Sequence, residues 1–493
     1  MGKETELKLS LPSVCLPALR AHPVFLAAEQ LGEPKTLDNT YFDTSDLQLQ
    51  AQHIALRTRQ QGDVWLQTVK CASVSVGGLS QRPEWEKPYN GEFDFQDIEL
   101  KSLRKKLQAL QSHLQPVFTT IFTRETYFYK SDTDAEILLM VDQGDILAKG
   151  HQVPLCEVEL ELVSGSPQDL LQLAVELAET LPLLPSDVSK AERGYRLFRA
   201  EEESPAKMPP VVLDKRQPTL DAFKALAFAC VAQWQANVKG AAVSNDAEFV
   251  HQLRISQRRL RALLRVFSPI LNKSWVAHWS DVLAENARIF SDLRDLDVMC
   301  DEILPSVLLQ AGAEEWPLQA LQQLVASQRD QARLVLMDHP ELQRQGLLIL
   351  TLVFELHSLE QKSSVDQPLA IFAQLRIEKL LKRAKKSYRE ALKSQNEDSL
   401  HQLRIRLKPL RYALEFFMAV LPEKKTMKIY QSVVVAVRAL GHINDHHVSR
   451  RVLTGLTASD PQYQVALAFL SGLQSAKLAD QQKTALHSLS RLF

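Results

Sequence analysis

The spacing of hydrophobic and polar positions divides the chain into two regions. Up to about residue 200, short segments alternate apolar and charged residues between turn signals, which is typical of β-strands. Beyond residue 218, apolar residues recur at helical spacing almost to the last residue. Residues 201–217 combine an acidic run with clustered prolines, which is typical of a linker. The pattern predicts a multidomain α+β protein, with a β-rich domain over residues 1–200 and an all-α domain over residues 218–493.

Two helices are predicted inside the β-rich domain. One covers Ile98 to Leu114. The other begins after Ser166 and runs to Leu181, because a serine N-cap followed by Pro167 is a strong helix start signal. Pro83 lies within a predicted strand, and its missing N–H predicts a bulge or irregularity there.

Composition and charge exclude several classes of protein. The formal net charge of -1 predicts no polyanion partner, so only a local concentration of charge could provide one. The five cysteines lie far apart with no C-x-x-C pair, which argues against structural zinc and favours a reducing compartment. The most apolar run, Leu347 to Phe354, is far shorter than a membrane span and predicts a buried helix segment. With no signal-peptide pattern at the N-terminus, we expect a cytoplasmic protein with no membrane partner.

Charged residues two positions apart mark one face of several predicted strands. Strand side chains alternate between the two faces of a sheet, so such residues share a face. A solvated outer face is the alternative interpretation for any one strand. However, three carboxylates stacked about 7 Å apart repel one another unless cations lie between them. The series are Glu4, Glu6 and Lys8; Arg57 and Arg59; Arg82, Glu84 and Glu86; and Glu157, Glu159 and Glu161.

These residue types suit a metal-chelated oligophosphate. Carboxylate oxygens favour hard cations such as Mg²⁺ or Mn²⁺ over zinc. The arginine pairs and Lys70 offer the opposite charge for phosphate oxygens. If the charged faces converge inside a closed barrel, both sets would contribute to one site. Glu84 and Glu86 are expected to orient neighbouring basic groups, and Asp142 to support the site or to be a structural turn residue.

The charged series belong to a longer set of motifs that resembles the CYTH family, also called triphosphate tunnel metalloenzymes. The resemblance covers nearly all of residues 1–199 and rests on the motifs occurring together and in order. It implies an eight-stranded antiparallel β-barrel tunnel with flanking helices, whose interior binds triphosphate. The motifs are Glu4-Thr5-Glu6-Leu7-Lys8, Tyr41-Phe42-Asp43-Thr44, Leu56-Arg57-Thr58-Arg59, Thr68-Val69-Lys70, Arg82-Pro83-Glu84-Trp85-Glu86, Arg124, Asp142-Gln143-Gly144, Glu157-Val158-Glu159-Leu160-Glu161 and Ser189-Lys190-Ala191-Glu192-Arg193-Gly194.

The resemblance also implies roles for individual residues. Those expected to hold divalent cations, Mg²⁺ or Mn²⁺ in a two-metal site, are Glu4, Glu6, Glu157, Glu159 and Glu161. Those expected to grip phosphates are Lys8, Arg57, Arg59, Lys70, Arg82, Arg124 and Lys190. Glu4, Glu6, Lys8 and Glu159 are expected to be catalytic, with support from Glu84, Glu86, Asp142 and Arg193.

The implied reaction is the hydrolysis of tripolyphosphate to phosphate and pyrophosphate. Three other activities of the same barrel stay open: a thiamine triphosphatase, a nucleoside triphosphatase and a CYTH-type adenylate cyclase. Each would need a pocket for an organic group, for which Trp65 and Trp85 could supply aromatic surface. A non-catalytic polyphosphate-binding adaptor is the alternative outside the enzymes.

The helical region contains an internal repeat at an offset of 150 residues. His251-Gln252-Leu253-Arg254-Ile255 recurs as His401-Gln402-Leu403-Arg404-Ile405, and the correspondence continues without a gap. This predicts two related helical units, about 218–345 and 366–493. Basic residues at helical spacing after His251 form one stripe, opposite an apolar face. A solvated face is the alternative, but a stripe of one sign that returns in both halves favours a polyanion ligand.

The repeated histidine and arginine pattern resembles the CHAD family, over roughly residues 218–493. The resemblance implies two pseudo-symmetric four-helix bundles with inorganic polyphosphate as the ligand. Nucleic acid ranks lower, because few aromatic residues interleave with the basic stripe. The second half has Asn444 and His447 where the first has Arg294 and Asp297, which predicts unequal binding. The residues expected to bind polyphosphate are His251, Arg254, Arg258, Arg261, Arg288, His401, Arg404, Lys408, Arg411 and Arg438.

Overall fold

The computed structural model describes residues 3–71, 75–311, 316–360, 368–394, 396–457 and 463–493. They divide into two compact units. The first, here the barrel unit, consists of Met1–Ser204 together with Gln343–Leu359. The second, here the helical unit, consists of Pro205–Leu342 and Glu360–Phe493. The α+β class is confirmed, while the division into separate functional domains at residues 200 and 218 stays a prediction.

The barrel unit contains one antiparallel sheet that closes on itself. Strand β1 pairs with β10 through residues 6–10 and with β7 through residues 3–7. This second pairing closes β1, β10, β9, β8, β3, β4, β5 and β7 into a ring, so the predicted eight-stranded barrel is confirmed. The strands are β1 (Lys3–Ser10), β2 (Glu29–Gln30), β3 (Lys35–Asp43), β4 (Ile54–Gln61), β5 (Val64–Cys71), β6 (Ser75–Val76), β7 (Leu79–Pro88), β8 (Gln115–Lys130), β9 (Glu136–Ala148), β10 (His151–Ser164) and β11 (Leu184–Pro185).

The expected irregularity at Pro83 is absent from the described pairings of β7. The strand runs through Pro83 without a register shift. Its ladder with β1 ends at Pro83, and its ladder with β5 begins at Glu84. The missing N–H therefore falls where one partner strand replaces the other, and the strand tolerates proline there.

Five helices in the described part of residues 1–204 pack against the barrel, and the last of them packs against apolar side chains on the interior faces of the strands. They are α1 (Leu16–Arg20), α2 (Pro23–Ala27), α3 (Lys101–Leu110), α4 (Pro167–Thr180) and α5 (Lys190–Phe198). Helix α4 begins as predicted, with Pro167 in its first turn and a capping box between Ser166 and Asp169. Helix α3 is shorter than predicted and packs its Leu103 and Leu107 with residues of β4 and β5.

The barrel unit buries apolar side chains on both sides of the ring of strands. Inside, Tyr41 and Phe122 pack with Tyr195 of α5. A second apolar layer lies outside the ring. Leu7 and Leu9 of β1 are fully buried, and so are Val158 and Leu160 of β10. Helix α4 packs against both of these strands. Because side chains alternate along a strand, burial of this apolar face turns the charged series toward the barrel interior. The same alternation that forms the core therefore creates a charged interior.

The helical unit repeats its helices at the predicted offset of 150 residues. α7 and α15 coincide at both ends after this shift, and α6 and α14 coincide at their starts. The counterpart of α16 in the first repeat is broken into α8, α9, a π-helical turn at Met299–Ile303 and α10. The helices are α6 (Thr219–Val243), α7 (Ala247–Phe267), α8 (Lys273–Ile289), α9 (Ser291–Val298), α10 (Leu304–Ala311), α11 (Trp316–Met337), α12 (Pro340–Gln343), α14 (Leu369–Ser394), α15 (Glu397–Phe417), α16 (Glu423–Thr457) and α17 (Gln464–Ser490), with α13 (Gln345–Ser358) between the repeats in the barrel unit.

Equivalent residues of the two repeats touch each other. Pro218 and Pro368, which are 150 positions apart, form an antiparallel bridge. The rings of Phe267 and Phe417, also equivalent, have centroids 5.5 Å apart. Contacts between equivalent residues lie on a twofold axis, so the two bundles have the predicted pseudo-twofold relation. No helix in the described part of the chain is both long and apolar enough to cross a membrane.

Candidate active site

The charged series of the barrel unit converge on one cavity of about 300 Å³. Its volume is at the lower end of the range of small-ligand sites. Acidic and basic side chains line it together, as the sequence predicts. The lining residues are Glu4, Lys8, Tyr41, Ala55, Arg57, Arg59, Thr68, Lys70, Glu84, Glu86, Phe122, Arg124, Glu159, Glu161, Ser189, Lys190 and Ala191.

One part of the cavity is acidic. Glu6 of β1 lies directly opposite Glu161 of β10, and a pair of like charges in this position is unfavourable without a cation. Lys70 contributes positive charge here, with its Nζ 3.1 Å from Glu4 Oε2 and 2.7 Å from Glu84 Oε2. Burial and a hydrogen bond with Glu84 raise the pKa of Glu4 to about 8. This part of the cavity, here called the acidic pole, therefore contains more acidic side chains than Lys70 can neutralise. It consists of Glu4, Glu6, Glu84 and Glu161.

The facing part of the cavity is basic. The Arg57 side chain is buried and donates to the Tyr41 hydroxyl at 3.4 Å. Its Nε has no hydrogen-bond partner among the described residues. Burial and the nearby Arg57 and Arg124 lower the pKa of Arg59 to about 10. Arg59 stays charged at neutral pH, and repulsion between the guanidinium groups favours an anion between them.

Glu159 lies where the acidic and basic parts meet. Its carboxylate accepts hydrogen bonds from Arg124 at 2.6 Å and from Lys190 at 2.9 Å. The Nζ atom of Lys8 lies 3.9 Å from both Glu6 Oε1 and Glu159 Oε1. Although burial acts in the opposite direction, Lys190 and Arg124 hold the pKa of Glu159 well below its usual range. Glu159 is therefore an ionised, buried carboxylate at the centre of the site.

Lys190 inserts between three buried carboxylates. The first residue of α5, it contacts Glu157 and Glu159 of β10 and has its Nζ 2.7 Å from Asp142 Oδ2. Oxygens of these three carboxylates lie within 4.8 Å of one another, close enough to hold a metal ion. Although burial alone would lower the pKa of Lys190, the three carboxylates raise it. In this arrangement the lysine ammonium is their cation.

Asp142 is not a turn residue, which was one of its two predicted roles. It lies in the middle of β9, is fully buried, and receives two hydrogen bonds of 2.6 Å from the Arg124 guanidinium. Arg193, predicted to support the site, lies 3.8 Å from Glu157 and donates to the Pro154 carbonyl oxygen. Both residues thereby help to fix α5 against β9 and β10.

Most predicted site residues of the barrel meet at this cavity or directly beside it. Glu6, Glu157 and Asp142 lie beside it, bonded to residues that line it. The Arg82 side chain lies outside the described residues, although its backbone pairs with Glu4. The individual catalytic, substrate-binding and metal-binding roles stay predictions.

Several polar side chains of the site received no role from the sequence, although Tyr41 and Thr68 belong to its motifs. Asn39 accepts from Arg59 Nε at 3.0 Å, Ser80 donates to Glu6 at 3.3 Å, and Thr68 donates to Glu86 at 3.0 Å. Tyr41 contacts Arg57 as described. Asn39 and Tyr41 are two positions apart on β3, and Thr68 precedes Lys70 by two. The alternation rule could therefore have found them, but uncharged residues give a weaker signal of an interior face.

In the first repeat of the helical unit, the basic residues form a surface group. Arg258, Arg261, Arg265 and Arg288 are exposed. Burial and the neighbouring Arg265 and Arg288 lower the pKa of Arg261, which places these cations close together. Burial and Arg294 likewise lower the pKa of His251. Arg254 is partly committed to the fold, because it donates to Ser291 Oγ at 2.9 Å and to the Ala287 carbonyl oxygen.

In the second repeat, an acidic residue interrupts the corresponding surface. Arg411 Nη2 lies 3.9 Å from Glu415, which also accepts a 2.8 Å hydrogen bond from Arg259. His401 and Arg438 are exposed, whereas Arg404 and Lys408 are half-buried. The side chains of Asn444 and His447 lie outside the described residues.

Two domain families match the chain. Residues 2–195 match the CYTH domain and residues 225–454 match the CHAD domain. The inorganic triphosphatase of Haemophilus influenzae (strain ATCC 51907 / DSM 11121 / KW20 / Rd) is 35% identical over 204 residues, which cover 40% of this chain and 55% of that protein. The chain therefore spans about half the length of this curated relative.

Two solved structures each match a part of the chain. The CHAD domain from the plant Ricinus communis has 25% sequence identity and a TM-score of 0.49, covering 58% of this chain and 97% of its own. A putative adenylyl cyclase from Hippeastrum, described as having a dominant triphosphatase activity, has 18% identity and a TM-score of 0.29, covering 40% of this chain and 95% of its own.

Proposed function

Because the chain joins a CYTH domain to a CHAD domain, we propose that its barrel unit hydrolyses inorganic tripolyphosphate and its helical unit binds inorganic polyphosphate. The observation that carries the first part is Arg57, a buried cation in the cavity whose Nε has no hydrogen-bond partner among the described residues. Because Arg57 lines the cavity, this guanidinium donor is available to a phosphate oxygen, which favours an anionic substrate. The triphosphatase relative supports the same reaction class.

The basic residues would share the phosphates according to how far other contacts already occupy them. Arg124 and Lys190 are committed to carboxylates, whereas the nearest contacts of Arg57 and Arg59 are largely uncharged or longer than 3.5 Å. Arg57 and Arg59 would therefore hold the terminal phosphate most directly. Lys8, between Glu6 and Glu159, would contact phosphate oxygens near the acidic pole.

We propose a divalent metal at the acidic pole. Glu4, Glu6 and Glu161 present carboxylate oxygens only, and Glu6 and Glu161 face each other across β1 and β10. Such ligands suit Mg²⁺ or Mn²⁺. A bound metal would neutralise phosphate charge and lower the pKa of a coordinated water. Glu157 and Glu159 are further candidate ligands, although Lys190 engages both of them.

The reaction itself requires little covalent chemistry from the protein. The oxygen of a water molecule forms a bond to the terminal phosphorus, and the bond from that phosphorus to the bridging oxygen breaks. Phosphate and pyrophosphate result, and the water proton passes to a product oxygen or to solvent. The side chains contribute by holding the chain of phosphates in line and by balancing its charge with preorganised cations.

The cavity favours an inorganic substrate over one with an organic group. Trp85 lies between Glu84 and Glu86 on β7, so its ring points to the opposite face, where it packs with the cluster under α3. Trp65 is five positions from Lys70 on β5 and therefore also faces outward, with 40% of its surface exposed. As substrates, thiamine triphosphate and nucleoside triphosphates therefore rank below tripolyphosphate. As an activity, adenylate cyclisation ranks below triphosphate hydrolysis.

We expect the wild-type chain to release phosphate from tripolyphosphate with Mg²⁺ or Mn²⁺, and to lose this activity on chelation. Water attack on a highly charged phosphate needs that charge neutralised. The measurement is phosphate release from tripolyphosphate, thiamine triphosphate, ATP and long-chain polyphosphate with either metal. Undiminished hydrolysis after exhaustive chelation would exclude the metal, and faster turnover of an organic triphosphate would change the substrate. Tight binding without turnover would favour the adaptor.

Polyphosphate binding by the helical unit rests on the exposed cations of its first repeat. Arg258, Arg261, Arg265 and Arg288 concentrate one sign of charge on a chain whose net charge is -1. A flexible polyanion would release counterions on binding them, as nucleic acids do. Because Glu415 and its ion pairs interrupt the second surface, the first repeat should bind more strongly.

Reversing Arg258 and Arg261 to glutamate is expected to weaken polyphosphate binding more than reversing Arg411 and Arg438. Both pairs change the net charge equally, but Arg258 and Arg261 are exposed, whereas Arg411 is half-buried and lies 3.9 Å from Glu415. The affinity, measured on the full chain over a range of salt concentrations, should fall steeply with salt. The matched control reverses Lys101 and Lys105, exposed residues of α3 in the barrel unit. Equal effects of all three pairs, or tighter binding of RNA or duplex DNA, would contradict this assignment.

We also propose a cytoplasmic location. All five cysteines are free of disulfide bonds, which suits a reducing compartment.

A further inference from the structure

A helix from the middle of the helical half of the sequence belongs to the barrel unit. Helix α13 lies between the two repeats in the chain, and yet it clusters with the barrel. It buries Ile349, Leu350, Val353 and Leu356. Its neighbours are α4 and the short strand β11. This is the most apolar run of the sequence, and its buried surface completes the outer layer of the barrel.

Two close approaches fix α13 in place. A methyl group at Gly346 would lie only 1.6 Å from the Leu183 carbonyl oxygen, so glycine alone fits there. About two turns further along α13, the Val353 side chain approaches Gly77. A methyl group at Gly77 would lie 2.8 Å from a Val353 methyl, and Gly77 has a φ of +70°. The helix therefore touches two separate segments of the barrel, the turn at 77–78 and the segment at 183–186.

Both of these segments hydrogen-bond to the backbone of Lys8. The Lys8 N–H donates to the Gly78 carbonyl oxygen at 3.0 Å, and the Ser186 N–H donates to the Lys8 carbonyl oxygen at 2.9 Å. Asp187 joins the two segments, because its Oδ1 accepts from the Gly78 N–H at 2.9 Å and from the Ser75 hydroxyl. A displacement of either segment would therefore move Lys8.

The second of these segments also leads directly to Lys190. Ser189 caps α5, with its hydroxyl accepting from the Glu192 N–H at 3.1 Å, and Lys190 is the first residue of that helix. Only three residues lie between Ser186 and Lys190. The position of this segment thus influences both lysines that contact Glu159.

From these contacts we infer that α13 is a positioning element for Lys8 and Lys190, so that the triphosphate site depends on a segment encoded between the two CHAD repeats. This inference rests on the proposed function. The residues of α13 do not line the cavity, and they act on the site only through the 77–78 turn and the 183–186 segment. Since the chain enters and leaves α13 from the helical unit, the site also requires more of the chain than residues 1–200.

The test compares the full-length variants Gly346→Ala and Val353→Ala in tripolyphosphate hydrolysis. Gly346→Ala forces α13 away from the Leu183 carbonyl group, and Val353→Ala removes the contact with Gly77. We expect KM for tripolyphosphate to rise at least about fivefold in Gly346→Ala, because small misplacements of binding groups have large effects. Val353→Ala should show a smaller rise. Thermal unfolding of each variant establishes the folded fraction.

Two matched controls lie in α16. Gly441→Ala is also a helical glycine substitution, but a methyl group there would meet no described atom within 4 Å. Val435→Ala truncates a valine with 44% of its surface exposed. Both should keep the wild-type KM.

The KM separates positioning from simple loss of structure. A partly unfolded variant would have a lower apparent kcat with an unchanged KM, since its folded molecules would be normal. A wild-type KM in both α13 variants would therefore overturn the inference, whatever their kcat. If the wild-type chain itself fails to hydrolyse tripolyphosphate, the proposed function is wrong and this inference is overturned with it.

Discussion

Replacing Glu159 with glutamine is expected to lower the turnover of tripolyphosphate by at least about a hundredfold. The Glu159 carboxylate receives hydrogen bonds from Arg124 and Lys190 and lies 3.9 Å from Lys8. Glutamine keeps the size of the side chain but removes its charge and one acceptor oxygen. The three cations around it would lose their common counter-charge, and a bound metal would lose a candidate ligand. The measurement is kcat with saturating Mg²⁺ or Mn²⁺.

A matched control for this variant is Glu125→Gln. Glu125 is also a glutamate of the barrel sheet, but it pairs with Arg20 at 2.6 Å outside the cavity. Pairs of this kind contribute little to stability, so the control should fold and turn over normally. Near-normal turnover of Glu159→Gln, with metal bound as in the wild type, would remove Glu159 from the catalytic set.

Replacing Lys190 with methionine is expected to lower the free energy of unfolding by about 3–5 kcal/mol in metal-free buffer. Lys190 is buried and is the cation between Asp142, Glu157 and Glu159. Methionine fills a similar volume, but it leaves three buried carboxylates with Arg124, Arg193 and the more distant Lys8 as their described cationic neighbours. Their mutual repulsion in a buried position is the physical reason for the large effect. Denaturant unfolding, followed by circular dichroism, measures it.

Divalent cations are expected to restore part of this stability. Without the lysine, oxygens of the three carboxylates lie within 4.8 Å of one another and would become a set of metal ligands. Stabilisation should then increase with Mn²⁺ concentration, because the ion binds only the folded chain. The control is Lys130→Met, which breaks an exposed pair of 3.0 Å with Asp134. An unchanged free energy of unfolding in Lys190→Met would show that the lysine is not the counter-ion of the cluster.

The faces of the strands could be derived from the sequence by itself. Alternation places Glu4, Glu6 and Lys8 on one side of β1 and Leu7 and Leu9 on the other, and the structure agrees. It is reliable because the period of two is a local property of extended backbone. The helical repeat is equally local, and α7 and α15 coincide after the 150-residue shift.

From the sequence, the fold class could be predicted, but not which residues of two strands pair. The register that sets Glu6 opposite Glu161, and the closure of β1 on β7, join residues that are far apart in the chain. Local patterns do not encode such partners, because any strand with one charged and one apolar face could pair with any other.

The sequence by itself determined which side chains face the barrel interior, which helices repeat, and which residue types are available for a charged ligand. Tertiary structure decided which charges neutralise one another. It set Lys190 between Asp142, Glu157 and Glu159, and so made one predicted phosphate contact the cation of a carboxylate cluster. It also placed α13 on the barrel instead of among the helices that flank it in sequence. The physical reason is that periodicity depends on backbone geometry within a few residues, whereas charge balance and the burial of an apolar helix depend on whichever distant segments close around it.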